Sequence, residues 1–263
     1  MKRWMKIAIV AIIAVPVLLF GGILVYAKVI NKADETAESD FADRVEAAAE
    51  STTAPVDTTG ADPGTTAADP GTTAADAATT VADAAGATPL DGTWTVDTTS
   101  EIYVGYRVEE VLSGINTTAT GRTTQVTGSA TISGASLEAA EFTADVASIS
   151  SDRSQRDNQF RGRIMEADTF PTASFTLTQP VTLAGVPAEG EVVAASVTGD
   201  LLLHGVTRSV TFELQAFVAG GKITATGAIP ILFADYDIDN PSTGFVSTED
   251  NGLLEFLLVM AKA

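Results

Sequence analysis

The stretch VTGDLLLHGVTRSVTFEL, residues 197–214, predicts two antiparallel β-strands joined by a tight turn. Apolar residues occupy every second position before the turn, and the same alternation resumes after it, which indicates strands with one buried face. The positions on that face are Val197, Gly199, Leu201, Leu203, Val210, Phe212 and Leu214. The turn contains Gly205 and His204, the only histidine of the chain. A two-stranded hairpin is marginal alone, so we expect other strands to cover its apolar face.

Similar alternation recurs through the C-terminal two-thirds of the chain. Its apolar faces include Ile102, Val104, Tyr106 and Val108; Phe142, Ala144 and Val146; Ala173, Phe175 and Leu177; Ile223, Ala225, Gly227, Ile229, Ile231 and Phe233; and Leu254, Phe256, Leu258 and Met260. Gly121 and Gly128 bracket a further, threonine-rich strand. About eight or nine strands and one helix near residues 154–166 favour an antiparallel sandwich or barrel. Because the first and last strands are both strongly patterned, we favour a closed barrel, which has no exposed edge.

Residues 7–30 form an almost wholly apolar run, long enough to cross a bilayer, and three basic residues precede it. By the positive-inside rule, residues 1–32 are predicted to be a cytoplasmic tip and a transmembrane signal-anchor, with the rest of the chain exported. A signal peptide cleaved near Ala27 is the alternative, in which case the protein is secreted. The length of the run favours the retained anchor.

Residues 33–88 are rich in Ala, Thr, Asp and Pro and include a repeated heptad, ADPGTTA, at residues 61–67 and 68–74. Such a composition buries too little apolar surface to offset chain entropy, so we predict a flexible linker. Residues 33–50 are the part of this linker that can be partly helical. Residues 89–263 are then the folded domain.

Composition excludes several classes of function. The formal net charge is −19, and from residue 89 onward 22 acidic residues face 9 basic ones, so nucleic acid is not an expected partner. The chain has no cysteine, which excludes disulfides, thiolate metal sites and a thiol nucleophile. One histidine excludes a multi-histidine metal site.

Four arginines cluster at positions 153, 156, 161 and 163, next to Phe160, Ile164 and Met165. One interpretation is a lid over a cavity mouth, in which arginines receive a polar head group and the apolar side chains face a tail. The other is a helix pinned to the barrel by Arg–Asp pairs, with its apolar face in the core. The two interpretations are compatible.

Two other features carry weaker signals. His204 is a possible general base, but no nucleophile motif accompanies it, so a turn histidine with local hydrogen bonds is favoured and no enzyme is predicted. Asp235, Asp237 and Asp239 resemble a calcium loop, but Asn240 and Val246 stand where the EF-hand pattern needs glycine and glutamate. We therefore expect a solvated turn and no metal.

Several motifs give the domain a resemblance to the YceI-like family of lipocalin-like, polyisoprenoid-binding proteins. The matching motifs are Trp94-Thr-Val-Asp97, Ser148-Ile-Ser150, Arg156-Asp157, Phe170-Pro171 to Phe175, and the hairpin Gly199-Asp-Leu-Leu-Leu-His-Gly205-Val-Thr-Arg208. Their order and spacing extend over residues 91–263. Departures occur where the family usually has a histidine after its second strand, and where it has phenylalanines between Gly121 and Gly128.

The resemblance implies an all-β, lipocalin-like antiparallel barrel around an apolar cavity that holds a polyisoprenoid or similar amphiphile, without catalysis or a cofactor. On this basis we predict an extracytoplasmic, membrane-tethered lipid-binding protein. The candidate ligand-binding residues are Val104, Tyr106, Phe142, Arg156, Phe160, Arg161, Met165, Phe175, Leu203, Phe212 and Phe233. The alternative is a structural or interaction module with a filled barrel, displayed on an acidic stalk.

Overall fold

The computed structural model describes residues 37–52 and 90–263. The strands are β1 Gly92–Val96, β2 Tyr103–Leu112, β3 Ile115–Thr123, β4 Val126–Ser133, β5 Ser136–Asp145, β6 Ser150–Ser151, β7 Thr172–Leu177, β8 Val181–Thr182, β9 Val193–Leu203, β10 Val206–Ala219, β11 Lys222–Leu232, β12 Val246–Thr248 and β13 Asn251–Lys262. The helices are α1 Ala37–Thr52 and α2 Ser154–Gln159. Short turns of 3-10 helix occupy Val146–Ser148 and Phe233–Tyr236, and one turn of π-helix, Phe160–Ile164, follows α2.

The strands form one closed antiparallel barrel. Neighbours follow the order β1-β4-β5-β7-β9-β10-β11-β13, and β13 pairs again with β1 to close the ring. Strand β2 continues the direction of β1 along β13, and β3 continues the direction of β4 beside β2. If β1 with β2, and β4 with β3, are each counted as one interrupted strand, the barrel has eight strands. The all-β barrel predicted from alternation is therefore confirmed.

The hairpin at residues 197–214 forms as predicted. Strands β9 and β10 pair without a bulge from Val206 opposite Leu203 to Ala216 opposite Val193. The turn is His204-Gly205, with φ of +49° and +76°. Positive φ at both turn positions matches the right-handed twist of the strands, and glycine takes this conformation without strain.

The prediction of a single strand between Gly121 and Gly128 was wrong in one respect. The predicted strand is interrupted at Thr124 and Gln125, between the end of β3 and the start of β4. The Thr123 hydroxyl accepts a hydrogen bond from the Gln125 backbone N–H, which leaves the ladder at this point. A polar side chain that captures a nearby backbone donor in this way competes with strand pairing.

The predicted helix near residues 154–166 is present as α2 and the π-helical turn after it. This segment packs against the two-residue β6, which pairs with β3 beyond the point where β3 meets β2 at one end of the barrel. Phe160 and Met165 are buried there and belong to the main core. An apolar face in an otherwise polar helix explains why the segment packs inward.

Helix α1 packs on the outer surface of the barrel, against β11 and β13. Ala37 and Phe41 on the helix are buried with Tyr103, Phe217 and Leu257 on the strands. The expectation of a flexible linker is therefore not met for residues 37–52, although a partial helix was foreseen there. Sequence patterning did not foresee that the helix docks.

No helix within residues 37–52 and 90–263 is long and apolar enough to span a membrane. The predicted anchor, residues 7–30, lies outside the described residues, as do residues 33–36 and 53–88 of the linker.

Candidate functional site

The described residues of the barrel enclose a series of cavities, of which three chambers concern the site. The largest, which we call the mouth chamber, has a water-accessible volume of about 360 Å³ and opens at the end of the barrel that carries α2. A middle chamber and a far chamber of about 110 Å³ each follow it. Adjacent chambers share lining residues, so the three lie in series along the barrel.

A ring of four residues separates the mouth chamber from the middle chamber. Val104, Ala144, Ala173 and Leu254 line both. Ala144 and Ala173 are direct partners across β5 and β7, and both side chains point into the barrel. Two alanines at this level leave space that larger side chains would fill, so the boundary between the two chambers has small side chains on this side.

The middle chamber is almost wholly apolar. Phe175, Phe212 and Phe256 form a chain of edge-to-face contacts across it, with ring centroids 5.5 Å and 5.8 Å apart. Such geometry is favourable for aromatic rings and holds them in place. The chamber can therefore receive hydrocarbon and offers little to a polar group.

One wall of the mouth is a stack of two rings. The Tyr106 ring on β2 lies on the Phe160 ring, with centroids 4.7 Å apart and planes inclined by 20°. Gly121 on β3 stands opposite Tyr106, and a Cβ at this position would overlap the tyrosine ring. Gly121 therefore allows the ring to lie across the neighbouring strand, where it meets Phe160.

Burial raises the pKa of Tyr106 well above its ordinary value, and the nearby carboxyl groups of Asp157 and Glu110 add to the shift while Arg156 opposes it. The hydroxyl consequently stays protonated across physiological pH. The mouth presents a neutral phenol that can donate a hydrogen bond to a polar head group.

The charges at the mouth are largely paired with one another. Arg156 contacts the carboxylate of Asp152 on its own segment and, at 3.3 Å, that of Glu110 on β2. The side chains of Arg156 and Glu110 are 18% and 10% exposed. Arg153 lies 3.8 Å from Asp152 and is more exposed. Of these pairs, only the one with Glu110 joins the helix to the barrel, whereas one of the two interpretations expected Arg–Asp pairs there. Arg153 and Arg156 also line the mouth chamber.

The structure brings ten of the eleven predicted residues to the cavity. Those that line the mouth chamber are Val104, Tyr106, Arg156, Phe160, Met165, Leu203 and Phe233. Those that line the middle chamber are Val104, Phe142, Phe175 and Phe212. Arg161 lines neither, because its guanidinium donates to the Ile149 carbonyl at 3.1 Å and to Asn158. These contacts hold the guanidinium against its own segment, and a ligand-binding role for Arg161 stays a prediction.

Sequence reasoning missed several residues of the site. The sequence did not indicate that Glu110, whose side chain is 10% exposed, belongs to the site. Its burial depends on its partner Arg156, on a helix that is distant in sequence. Val108, Ile231, Leu254 and Phe256 lay on faces that alternation had assigned to the interior, and they could have been included on that signal.

His204 lies outside the three chambers. Its Nδ1 is 2.9 Å from the Tyr236 carbonyl oxygen, and its ring packs edge-on against Phe170. The favoured interpretation of a turn histidine fits this contact, although the partner is 32 residues away rather than local. Within the described ranges, no group of three or more His, Asp or Glu side chains is placed to hold a metal ion.

The fold is thus an all-β, closed, eight-stranded antiparallel barrel with a largely apolar interior. Residues 94–260 match the YceI-like domain family, which is more than half of the chain. The chain therefore belongs to the YceI-like family.

Solved structures with the same fold include a polyisoprenoid binding domain from Saccharophagus degradans implicated in plant cell wall breakdown. It matches with a TM-score of 0.51 and 21% identity, over 65% of this chain and 98% of that one. BcnA from Burkholderia cenocepacia matches with a TM-score of 0.49 and 24% identity, over 62% and 98% of the two chains. No curated protein sequence matches this chain.

Proposed function

We propose that this protein binds an isoprenoid-type or similar amphiphilic lipid inside the barrel and carries no catalytic activity. The observation that carries the proposal is the apolar interior, which runs from the mouth chamber through the ring at Ala144 and Ala173 into the middle chamber. A series of narrow chambers suits a chain-like ligand better than a compact one. The name of the Saccharophagus degradans domain supports the same ligand class.

The driving force is burial of the hydrocarbon tail. Removal of apolar surface from water is worth about 0.8 kcal/mol for each methylene-sized group, so a long tail gains much from the cavity. The head group lies at the mouth, where Tyr106 supplies a neutral hydrogen-bond donor. Arg153 and Arg156 are also at the mouth, and both are paired with the carboxylate of Asp152. We expect the tail to determine affinity and the head group to contribute little.

We further propose that residues 7–30 tether the barrel to the membrane, with residues 37–263 on the extracytoplasmic side. The apolar run and the basic residues before it support this location. A tethered binding protein stays beside the bilayer, which is where an isoprenoid lipid resides. Secretion after signal cleavage is the competing location.

The alternative function, a structural module with a filled barrel, requires an interior without space. The mouth chamber alone has a water-accessible volume of about 360 Å³, which argues against it.

Native mass spectrometry of the full chain, released from detergent in the gas phase, tests lipid binding. We expect a stoichiometric apolar adduct after purification, or after addition of solanesol, a long polyprenol. Organic extraction of the same sample identifies the class of the adduct. A chain that remains free of lipid under both conditions would contradict the proposal.

A further inference from the structure

The contacts of α1 fix the direction in which the helix runs along the barrel. Asp40 accepts a hydrogen bond from the Tyr103 hydroxyl at 2.5 Å and lies 3.5 Å from Arg122. One turn later, Arg44 donates to the Glu101 carbonyl at 2.6 Å. Strand β2 runs from Tyr103 toward Leu112, so the helix passes in the opposite direction, from the level of Tyr103 to that of Glu101.

The mouth lies at the other end of the same strand. Glu110 and Leu112 near the end of β2, and Gly252 at the start of β13, line the mouth chamber. The N-terminus of α1 is therefore the end nearer the mouth, and its C-terminus points to the far end. Gly92, where β1 begins, also lies at the far end, because β1 runs in the direction of β2.

The chain that precedes α1 is short. Six residues, 31–36, separate the apolar run that ends at Ile30 from Ala37. Fully extended, the seven steps from Ile30 to Ala37 reach about 24 Å. The end of the apolar run therefore stays close to the N-terminus of α1, whatever the length of residues 53–89.

We propose that the mouth of the barrel faces the bilayer in which residues 7–30 are embedded, so that a lipid passes between membrane and cavity without crossing open solvent. This inference rests on the membrane tether of the proposed function. The docked helix, and not the low-complexity segment, then sets the distance and the orientation of the barrel.

The direction of α1 disfavours the reverse orientation. Helix α1 has 16 residues, is about 24 Å long and runs toward the far end. To bring the far end to the membrane, residues 31–36 would have to turn back and run beside the helix toward its C-terminus.

The rim of the mouth carries apolar side chains that suit contact with a lipid surface. Phe245 is 84% exposed, and its carbonyl accepts from the Ser113 N–H in the turn that follows β2. Val111 and Leu232, at the same end, are 37% and 47% exposed. Val186 and Val192, in the segment between β8 and β9, are exposed to a similar degree but have no aromatic neighbour as exposed as Phe245.

Acidic residues share the rim, so anionic head groups are not the expected partner. Asp239, Glu249 and Asp250 are all exposed there. Exposed apolar side chains beside acidic ones favour contact with a zwitterionic lipid surface. We expect this contact to be largely insensitive to salt.

The absence of native cysteine makes a direct test possible. Phe245→Cys places a fluorophore on the rim, and Val192→Cys places one at the far end. Each labelled full chain is reconstituted in nanodiscs of phosphatidylcholine doped with a lipid that carries a nitroxide on its head group. We expect several-fold stronger quenching at position 245 than at position 192. Equal quenching, quenching in the reverse order, or failure of the chain to remain in the nanodisc would overturn the inference.

A variant that undocks the helix provides the matched control. Phe41→Ser removes the ring that packs edge-on against Phe217, with centroids 5.2 Å apart. We expect it to abolish the difference in quenching between the two labels while the chain stays in the nanodisc. A difference that survives this change would show that α1 does not orient the barrel.

Lipid occupancy, measured by native mass spectrometry on the same samples, separates the two proposals. Bound lipid with symmetric quenching contradicts the orientation alone. Asymmetric quenching without any bound lipid contradicts lipid binding alone.

Discussion

The ring of Tyr106 on β2 and the ring of Phe160 on the π-helical turn after α2 are stacked, with centroids 4.7 Å apart. This pair joins the barrel wall to the helical segment that covers its mouth. The two residues are 54 positions apart in sequence, so their contact is a tertiary one that local sequence does not encode. Gly121 permits it by leaving room for the tyrosine ring.

A double-mutant cycle on Tyr106 and Phe160 should reveal this coupling. We expect Phe160→Ala to lower the free energy of unfolding by about 3–5 kcal/mol, because a buried ring is lost. The two alanine substitutions together should deviate from additivity by about 0.5–1.5 kcal/mol, the usual value for an aromatic pair. Chemical denaturation of the full chain measures both. Tyr106→Phe keeps the stacked ring and should remain close to wild type; a large loss there would assign the effect to the hydroxyl.

Ala173→Phe should close the passage between the mouth and middle chambers. The new ring points inward at the level where Ala144 and Ala173 face each other. We expect loss of the lipid adduct in native mass spectrometry and a destabilisation of about 1–3 kcal/mol from overpacking.

Thr176→Phe is the matched control for that substitution. Thr176 lies on the same strand, but it is exposed on the outer surface. It adds the same ring without filling the cavity, so lipid should remain bound. If the Ala173→Phe variant retained the lipid adduct, the lipid tail would not pass between Ala144 and Ala173.

Arg156→Gln should lower stability more than it changes lipid preference. The substitution leaves the carboxylate of Glu110, which is only 10% exposed, without the guanidinium 3.3 Å away. Loss of a partner to a buried charged group is worth about 1–3 kcal/mol. Glu110→Gln in the same chain should restore part of the loss in thermal unfolding.

The same variant tests the role of the mouth charges. Because the guanidinium already has two carboxylate partners, we expect wild type and Arg156→Gln to show the same ratio of affinities for solanesol and a polyprenyl phosphate. A variant that selectively lost the phosphate would show that Arg156 binds the head group.

Asp97 should make stability depend on acid pH. The Lys222 ammonium, 2.7 Å away, and hydrogen bonds from Thr99 and Ser100 hold the pKa of Asp97 well below its ordinary value of 3.8. A lowered pKa in the folded state stabilises the protein at pH values above the ordinary pKa, and the effect disappears as pH falls through the folded value.

We therefore expect Asp97→Asn to lower the Tm at neutral pH, with the gap to wild type closing as pH falls below about 4. Glu138→Gln, which removes an exposed carboxylate from β5, should show no such closing gap. A gap for Asp97→Asn that stays constant down to low pH would mean that the loss is steric.

Alternation predicted most of the barrel because each strand has one face in the interior. The pairs that line the cavity, such as Phe175 and Phe212, follow from that period alone, and so does the hairpin whose turn is His204-Gly205. The break at Thr124 was not predictable in the same way, because Gly121 and Gly128 fit a continuous strand equally well.

Features that depend on contacts distant in sequence escaped prediction. Arg161 lies only five residues after Arg156, yet its guanidinium donates to the Ile149 carbonyl and lines neither the mouth nor the middle chamber. Helix α1 reads as a polar, alanine-rich segment with little apolar surface. Its docking depends on Phe41, which finds Phe217 on a strand 176 residues later, and no local pattern encodes that partner.

The docked position of α1 also changes what insertions in the low-complexity segment would do. Residues 53–89 join the end of α1 to Leu90, just before β1, and both of these points belong to the far end of the barrel. Their number thus affects only the entropy of closing a loop, which rises by about 0.6 kcal/mol for each doubling of length. Adding or removing a copy of the ADPGTTA heptad should therefore change stability little, whereas, with the proposed membrane tether, a deletion of a few residues between 31 and 36 should shift the whole barrel toward the bilayer.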